Sequence, residues 1–120
     1  MSKRDIRAFL LDILDSMNAI DDYVKNTTFD EFLNNRMMRQ AVIRELEIIG
    51  EATKNIPEKI RKKYPEIPWK GMAGVRDKVI HGYFGVDYDI IWKLIKVRIP
   101  QTKPLIEDVL KDLEENNEEQ

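Results

Sequence analysis

Apolar side chains recur along this chain at alternating steps of three and four residues, which is the spacing of one face of an α-helix. The first such segment contains Ile6, Phe9, Leu10, Ile13, Leu14, Met17, Ile20 and Val24. The pattern predicts a long helix over residues 3–25. The polar residues 26–28 interrupt it.

The second periodic segment predicts another long helix, over residues 29–55. Thr28 and Glu31 have the spacing of a capping box, so this helix is expected to begin directly after Thr28. Both predicted helices are longer than the usual length of about 11–12 residues. We therefore expect them to pack along each other as an antiparallel pair within a bundle.

Prolines and glycines divide the middle of the chain. Pro57 suits the first turn of a short helix over residues 58–63. Residues 64–68 are expected to be extended, because a residue that precedes proline avoids the α region. A further helix is predicted from about residue 69 to residue 81, with Gly82 as a natural stop.

Asp87 is expected to cap the next helix, and Pro100 to kink or end it before a last helix begins. No segment alternates with the two-residue period of a β-strand. The sequence therefore predicts one all-α domain over residues 1–113, a four- to five-helix up-and-down bundle. A short extra helix should precede helix 69–81, and residues 114–120 should form an acidic polar tail.

The composition narrows the class of protein. Hydrophobic residues make up 42% of the chain and charged residues 35%, which is typical of a soluble, largely helical globular protein. No apolar run approaches the roughly 20 residues needed to cross a bilayer, so no membrane partner is expected. The absence of cysteine excludes disulfides and thiolate metal sites, and it is in keeping with a cytoplasmic location.

The net charge of −2 hides an uneven distribution. Residues 107–120 contain seven acidic residues and one lysine. Seven basic residues fall within residues 59–78, against two acidic ones: Lys59, Arg61, Lys62, Lys63, Lys70, Arg76 and Lys78. This basic segment suits a polyanionic partner. An ordinary solvated face is the alternative interpretation.

The candidate chemistry centres on the stretch from Arg76 to Tyr83, which contains the one histidine of the chain, His81. Imidazole titrates near neutral pH without assistance, so His81 is the foremost acid–base candidate. On a helix, Asp77 lies one turn before His81 on the same face, where its carboxylate can orient the ring. Arg76 lies about 140° away around the helix and reaches His81 only through its long side chain. The plain alternative is a helix-end histidine that is hydrogen-bonded to Asp77 and has no chemical role.

An arginine and a histidine without metal ligands suit the cleavage of RNA phosphodiester bonds. The attacking 2′-hydroxyl must lose a proton, the departing 5′-oxygen must gain one, and the phosphorane needs a fixed positive charge. The planar fork of arginine suits the phosphate oxygens. One chain offers one imidazole, so we expect a two-fold dimer that brings two copies of His81 to a shared cleft.

The same stretch matches the R-x4–6-H-x-Y motif of HepT-like toxins, which belong to the HEPN superfamily of α-helical ribonucleases. Arg76, His81 and Tyr83 occupy the three motif positions, and the polar Asp77 fits the wider HEPN pattern. Further segments that resemble the family are residues 44–52, 67–69, 71–75 and 83–87. Altogether the resemblance covers residues 3–113.

This resemblance implies a dimeric, metal-independent endoribonuclease that requires no cofactor, with Arg76 and His81 as the catalytic residues. It also implies a partner, an MntA-like minimal nucleotidyltransferase that serves as the antitoxin of a type VII-like pair. In such pairs the partner modifies the motif tyrosine, here Tyr83, with AMP. The alternative is a non-catalytic HEPN module that dimerises and docks a nucleotidyltransferase or binds a nucleotide.

Several other residues have both a functional and a structural interpretation. Tyr64 and Trp69 can stack on unpaired bases, but packing at the bundle edge is preferred. Glu47 and Glu51 can pair as metal ligands. Because they lack a partner histidine, a solvated or dimer-facing edge is preferred and no metal site is predicted. Two glycines fit no nucleotide-binding spacing and are interpreted as packing or turn residues: Gly71 and Gly74.

Overall fold

The computed structural model describes residues 5–81 and 87–119, with side chains in those ranges except at positions 76, 78–81 and 117–119. No strand occurs in either range, and the predicted all-α fold is confirmed. A π-helical turn (Leu94–Arg98) joins the last two helices. The helices are α1 (Ile6–Val24), α2 (Phe29–Leu33), α3 (Arg36–Lys54), α4 (Glu58–Lys63), α5 (Trp69–His81), α6 (Tyr88–Lys93) and α7 (Ile99–Glu119). α4 is the predicted short helix before α5.

α1 and α3 pack against each other as the predicted antiparallel pair. Phe9, near the start of α1, shares a groove with Ala52, near the end of α3. Tyr23, near the end of α1, donates a hydrogen bond from its hydroxyl to Glu45 Oε2 at 3.0 Å. Burial of a large apolar side chain stabilises the fold by about 1.5–3 kcal/mol, so the facing stripes supply most of the stability. The most deeply buried members are Leu10, Ile13, Met17, Ile20, Val42 and Leu46.

The single helix predicted over residues 29–55 is wrong, because the chain breaks between α2 and α3 at Asn34 and Asn35. Asn34 Nδ2 donates to the carbonyl oxygen of Asp30 at 2.8 Å. Asn35 Oδ1 accepts from the N–H of Met38 at 3.0 Å and so caps α3. Asparagine side chains bond local backbone groups that a continuous helix would pair internally, which is why the break falls here.

Two predicted N-caps are confirmed. The Thr28 hydroxyl accepts from the N–H of Glu31, and Glu31 Oε1 accepts from the N–H of Thr28, which is the reciprocal capping box that begins α2. Asp87 Oδ1 accepts from the N–H groups of Asp89 and Ile90 at 3.0 and 3.3 Å. The carboxylate therefore begins α6 directly after the segment that the structure leaves undescribed.

Of the two outcomes predicted at Pro100, a kink or an end, the end does not occur, because α6, the π-helical turn and α7 are continuous. In the turn before the proline, the N–H of Ile99 donates to the carbonyl oxygen of Leu94, five residues back. This wider turn accommodates a residue that lacks an N–H and whose ring crowds the preceding turn. Residues 114–119 of the predicted polar tail continue α7 as helix.

The linker over residues 64–68 returns the chain along α3. It is a turn and not the extended segment predicted, since the N–H of Ile67 donates to the Tyr64 carbonyl oxygen at 3.2 Å. The N–H of Trp69 then donates to the Ile67 carbonyl oxygen at 2.8 Å. Pro65 has a fixed φ that suits the second position of such a turn. α5 packs against α3, and the linker joins its start to the end of α4.

The described helices form an elongated molecule with principal dimensions of 51 × 28 × 27 Å. Within residues 5–81 and 87–119, no helix combines the length and the apolar character that a membrane span requires. α5 runs between two regions of the molecule. Its first residues lie beside α4, and its last residue is His81.

Candidate functional site

α5 presents one face to the bundle core. Trp69 and Val75 are buried on this face, and Met72 is half-buried against the core. The indole Nε1 of Trp69 donates to the carbonyl oxygen of Tyr64 at 3.0 Å. These contacts fix the orientation of α5 and therefore determine which of its positions face away from the core.

The outward stripe of α5 consists of positions 70, 74, 77 and 81, which recur at helical spacing opposite the core face. Lys70 and Asp77 are exposed, and Gly74 is half-buried. The helical backbone continues to His81, as predicted. Asp77 and His81 are therefore one turn apart along the same stripe of the backbone.

Most of the predicted site lies outside the described residues. This is true of the side chains of Arg76 and His81 and of the whole of Tyr83. Asp77 is the one predicted site residue whose side chain is described, and it is exposed to solvent. The catalytic roles of Arg76 and His81, the orienting role of Asp77 and the modification of Tyr83 therefore stay predictions.

The basic segment contains two kinds of residue that its sequence does not distinguish. Arg61 is structural, because its Nε donates to the carbonyl oxygen of Ile56 at 3.1 Å and its Nη2 to that of Thr53 at 2.8 Å. It thereby bridges two carbonyl oxygens at and just beyond the end of α3. The lysines of the segment with described side chains are all exposed: Lys59, Lys62, Lys63 and Lys70.

Most of the basic segment lies at the end of α5 opposite His81. Lys70 is eleven residues before His81 on one continuous helix. At 1.5 Å of rise per residue, their backbones are about 16 Å apart along the axis. The lysines of α4 precede α5 in the chain, so they lie at that same far end. The lysines are close to His81 in the sequence but lie at the opposite end of α5.

Tyr64 and Trp69 pack as the preferred interpretation predicted. Both are buried, and Tyr64 donates a hydrogen bond from its hydroxyl to Asp112 Oδ2 on α7 at 2.8 Å. Burial, together with this hydrogen bond and the charge of Asp112, raises the pKa of Tyr64 to about 12. Neither ring is free to stack on a base.

Glu47 and Glu51 line a groove of about 340 Å³ between α1 and α3. Glu47 Oε2 lies 3.8 Å from Arg44 Nη1, and Glu51 Oε1 lies 3.8 Å from Lys54 Nζ. Among the described residues, no group of three or more candidate ligands is placed to hold a metal ion. Both glutamates lie beside a basic side chain of α3, and their interpretation as a solvated or dimer-facing edge stays a prediction.

The interpretation of Gly71 and Gly74 as packing or turn glycines is wrong. Both lie within α5, and a Cβ atom built on either would meet no atom within 4 Å. Neither close packing nor a left-handed backbone requires glycine at these positions. Because neither glycine has a side chain, the surface of α5 between Lys70 and Asp77 has open space at both positions.

An aromatic cluster that the sequence did not predict fixes the start of α6. The ring centroids of Phe32 and Trp92 are 5.1 Å apart, those of Phe29 and Trp92 5.8 Å, and those of Phe32 and Tyr88 6.1 Å. The guanidinium carbon of Arg39 lies 5.3 Å from the Tyr88 centroid. Aromatic pairs at helical spacing in both helices were the available signal, although nothing in the sequence indicates that the two pairs meet.

Comparison with known proteins adds independent evidence. The profile of a family described as "Ribonuclease HepT-like" matches residues 13–109. A "Putative RNase" of Methanocaldococcus jannaschii is 52% identical over 118 residues, which is 98% of each chain. Another "Putative RNase" of the same organism is 55% identical over 115 residues, covering 96% of this chain and 99% of the relative. A "Probable ribonuclease HepT" of Thermococcus cleftensis is 45% identical over 109 residues, covering 91% and 99%. No solved structure matches the chain.

Proposed function

This chain belongs to the HepT-like ribonuclease family, and from that premise we propose that it is a metal-independent endoribonuclease. Arg76 and His81 are the proposed catalytic residues, and Asp77 orients the histidine. The observation that carries the proposal is the motif on α5, because a helix that is continuous to His81 puts Asp77 one turn before it. RNA is the proposed substrate.

In the proposed reaction, the ribose 2′-oxygen attacks the adjacent phosphorus and the bond from phosphorus to the 5′-oxygen breaks, which leaves a 2′,3′-cyclic phosphate. His81 accepts the proton of the 2′-hydroxyl. The partner subunit's His81, in its imidazolium form, donates a proton to the departing 5′-oxygen. Arg76 donates hydrogen bonds to the non-bridging oxygens and offsets the charge of the phosphorane.

Cleavage of a defined single-stranded RNA by the purified protein, with and without EDTA, tests the proposed mechanism. We expect cleavage in EDTA and a product that ends in a 2′,3′-cyclic phosphate or its hydrolysis product. A strict requirement for Mg²⁺ or Mn²⁺, or a 3′-hydroxyl product, would contradict it. RNA binding without any cleavage by the wild-type protein would instead favour the non-catalytic module.

Two substitutions test the proposed catalytic roles of His81 and Arg76. His81→Ala and Arg76→Ala should each lower the cleavage rate by about 10²–10⁴-fold, since each removes a proton-transfer group or the charge that stabilises the phosphorane. Arg98→Ala is the matched control, because Arg98 is an exposed arginine of the π-helical turn, remote from the motif in sequence. Wild-type rates in either test variant would remove that residue from the mechanism.

The proposal extends to regulation in a type VII-like toxin–antitoxin pair. An MntA-like nucleotidyltransferase transfers AMP from ATP to the Tyr83 hydroxyl, with release of pyrophosphate. Membership of the family supports this partner. We propose that toxin and antitoxin act in the cytoplasm, where RNA is available as the substrate.

A further inference from the structure

We propose that the RNA strand flanking the scissile phosphate runs along the outward stripe of α5 to a lysine cluster at its far end. The lysine cluster is Lys59, Lys62, Lys63 and Lys70. This inference rests on the proposed ribonuclease function and adds a substrate-binding surface outside the R-x4–6-H-x-Y motif. The lysine cluster would bind only RNA that is long enough to reach it from the motif.

The lysine cluster is displayed on a fixed support. Ile60 anchors α4 in the core, and Arg61 ties it to the end of α3 through two hydrogen bonds. With the helix held on that side, Lys59, Lys62 and Lys63 project into solvent. A pre-organised cationic surface attracts a polyanion without a large cost of ordering.

The four lysines are available to an external anion. Among the described residues, none of them forms an ion pair with a carboxylate. Lys63 Nζ lies 5.6 Å from the ring centroid of Tyr64, a contact that leaves its charge uncompensated. Glu58 and Glu66 are the exposed acidic residues adjacent in sequence, so lysines outnumber carboxylates there by four to two.

A groove joins the lysine cluster to the outward stripe. It has a volume of about 580 Å³ and lies between α4 and the start of α5. Its lining includes apolar side chains, Gly71 and three charged residues: Pro65, Pro68, Trp69, Glu58, Arg61 and Lys70. Lys70 is the exposed cation of this lining, so a phosphate of a single strand can pair with it there, whereas the buried Trp69 ring offers no stacking surface.

The described part of the path, from the groove to Gly74, has open space at both of its glycines. Gly71 and Gly74 have open space where a side chain would project. The axial distance of about 16 Å from Lys70 to His81 corresponds to about five nucleotides at 3.4 Å of rise per nucleotide of a stacked strand. A trinucleotide cleaved at the motif is therefore too short to reach the lysine cluster.

The test compares a triple variant, Lys59→Ala with Lys62→Ala and Lys63→Ala, with a control triple variant that loses the same charge elsewhere. The control combines Lys25→Ala, Lys93→Ala and Arg98→Ala, three exposed cations outside the basic segment. Substrates are a 12-nucleotide RNA and a trinucleotide. Kinetics are measured on the otherwise wild-type protein, and the salt dependence of RNA binding in a His81→Ala background.

For the test triple variant we expect KM for the 12-nucleotide RNA to rise on the order of tenfold at physiological salt, with kcat unchanged. The slope of log affinity against log salt concentration should flatten by about 2, because each phosphate contact in a single strand contributes about 0.7. Trinucleotide kinetics and the control triple variant should match the wild-type protein.

Gly74→Gln provides an independent variant. Glutamine is a better helix former and nothing lies within 4 Å of its Cβ position, so the melting temperature should rise by about 2–5 °C. The added side chain lies on the proposed path, so KM for the 12-nucleotide RNA should rise although the fold is more stable. The rise in melting temperature distinguishes obstruction from misfolding.

An unchanged salt slope in the test triple variant, or equal effects on long and short RNA, would overturn this inference while wild-type cleavage still supported the proposed function. Absence of cleavage by the wild-type protein would instead count against the proposed function. The salt dependence of RNA binding would still test whether the lysine cluster contacts RNA. Unchanged RNA binding with lost capture of the co-expressed nucleotidyltransferase would reassign the cluster to the protein partner and overturn the proposal.

Discussion

Tyr64 lies beside the lysines of α4 in the sequence, yet its ring is buried and its hydroxyl bonds Asp112 on the last helix. Burial, followed by the hydrogen bond to Asp112 and the charge of that carboxylate, together raise the pKa of this phenol from 10.0 to about 12. The folded state therefore favours the neutral phenol more strongly than the unfolded state does. One side chain thereby ties the linker before α5 to α7.

The stability of the wild-type protein should consequently fall at high pH in a way that Tyr64→Phe does not share. Below pH 10 the phenol is neutral in both states; between about pH 10 and 12 only the unfolded chain releases its proton, which favours unfolding. The loss specific to Tyr64 should approach about 2–3 kcal/mol by pH 12. Urea unfolding of both proteins from pH 8 to 11.5 measures it, and a constant difference between them would contradict the shift.

At neutral pH we expect Tyr64→Phe to be less stable than the wild-type protein. Tyr64→Phe removes a hydrogen bond to a carboxylate and should cost about 1–2 kcal/mol of stability at pH 7. Phenylalanine retains the buried ring, so the core packing is preserved.

Tyr83 is the residue through which the partner should silence the protein. An AMP group there adds bulk and negative charge beside the position where an RNA phosphate must bind, so it should exclude substrate sterically and electrostatically. Tyr83→Phe should keep most of the ribonuclease activity and escape modification by a co-expressed nucleotidyltransferase. Mass spectrometry of the co-expressed proteins measures this, and equal labelling of Tyr83→Phe, or AMP on another residue, would refute it.

At the scale of the element, short polar contacts decide where helices stop and apolar periodicity does not. The apolar pattern continues through Asn34 and Asn35, but these two side chains end α2 and cap α3. Pro100 has the reverse outcome, because the π-helical turn before it lets the helical segment continue. Helix boundaries therefore depend on which backbone groups find a partner.

Asn35→Ala should destabilise the protein by about 1 kcal/mol, because the N–H of Met38 loses its capping partner. Gln40→Ala is the control on the same helix, since Gln40 is exposed and caps nothing. Thermal unfolding of the two variants measures the difference. An equal melting temperature for both would show that Asn35 does not stabilise the start of α3.

At the scale of the whole molecule, a single chain offers one imidazole to a reaction with two proton transfers. We expect a two-fold dimer in solution, with a mass twice the 14.2 kDa of one chain. Light scattering at micromolar concentration measures it. A monomer that retains full ribonuclease activity would contradict the shared cleft.

Mixing subunits gives a sharper test of the same prediction. With a ninefold excess of His81→Ala chains, about one wild-type chain in ten pairs with another wild-type chain after exchange. If each reaction needs both histidines, wild-type activity should fall about tenfold. Activity that stays unchanged would mean that one His81 suffices for each site.

The sequence by itself determined the features that depend on neighbours within a turn or two of helix. The helical period identified the all-α class, the flanking prolines and Gly82 the bounds of α5, and the spacing of Thr28 from Glu31 and the position of Asp87 two caps. The one-turn spacing of Asp77 and His81 is likewise local, since it follows from helix geometry alone. Motif and family could be predicted for the same reason: they are written in contiguous residues.

The tertiary structure alone decided what depends on contacts between distant segments. Arg61 and Lys62 are equivalent cations in sequence, but Arg61 donates to two carbonyl oxygens at and just beyond the end of α3, whereas Lys62 is exposed. Tyr64 and Trp69 are ambiguous as aromatic residues until burial removes them from solvent. The distance between the lysine cluster and His81 also follows only from the fold, because a continuous α5 separates along its axis residues that the sequence places close together.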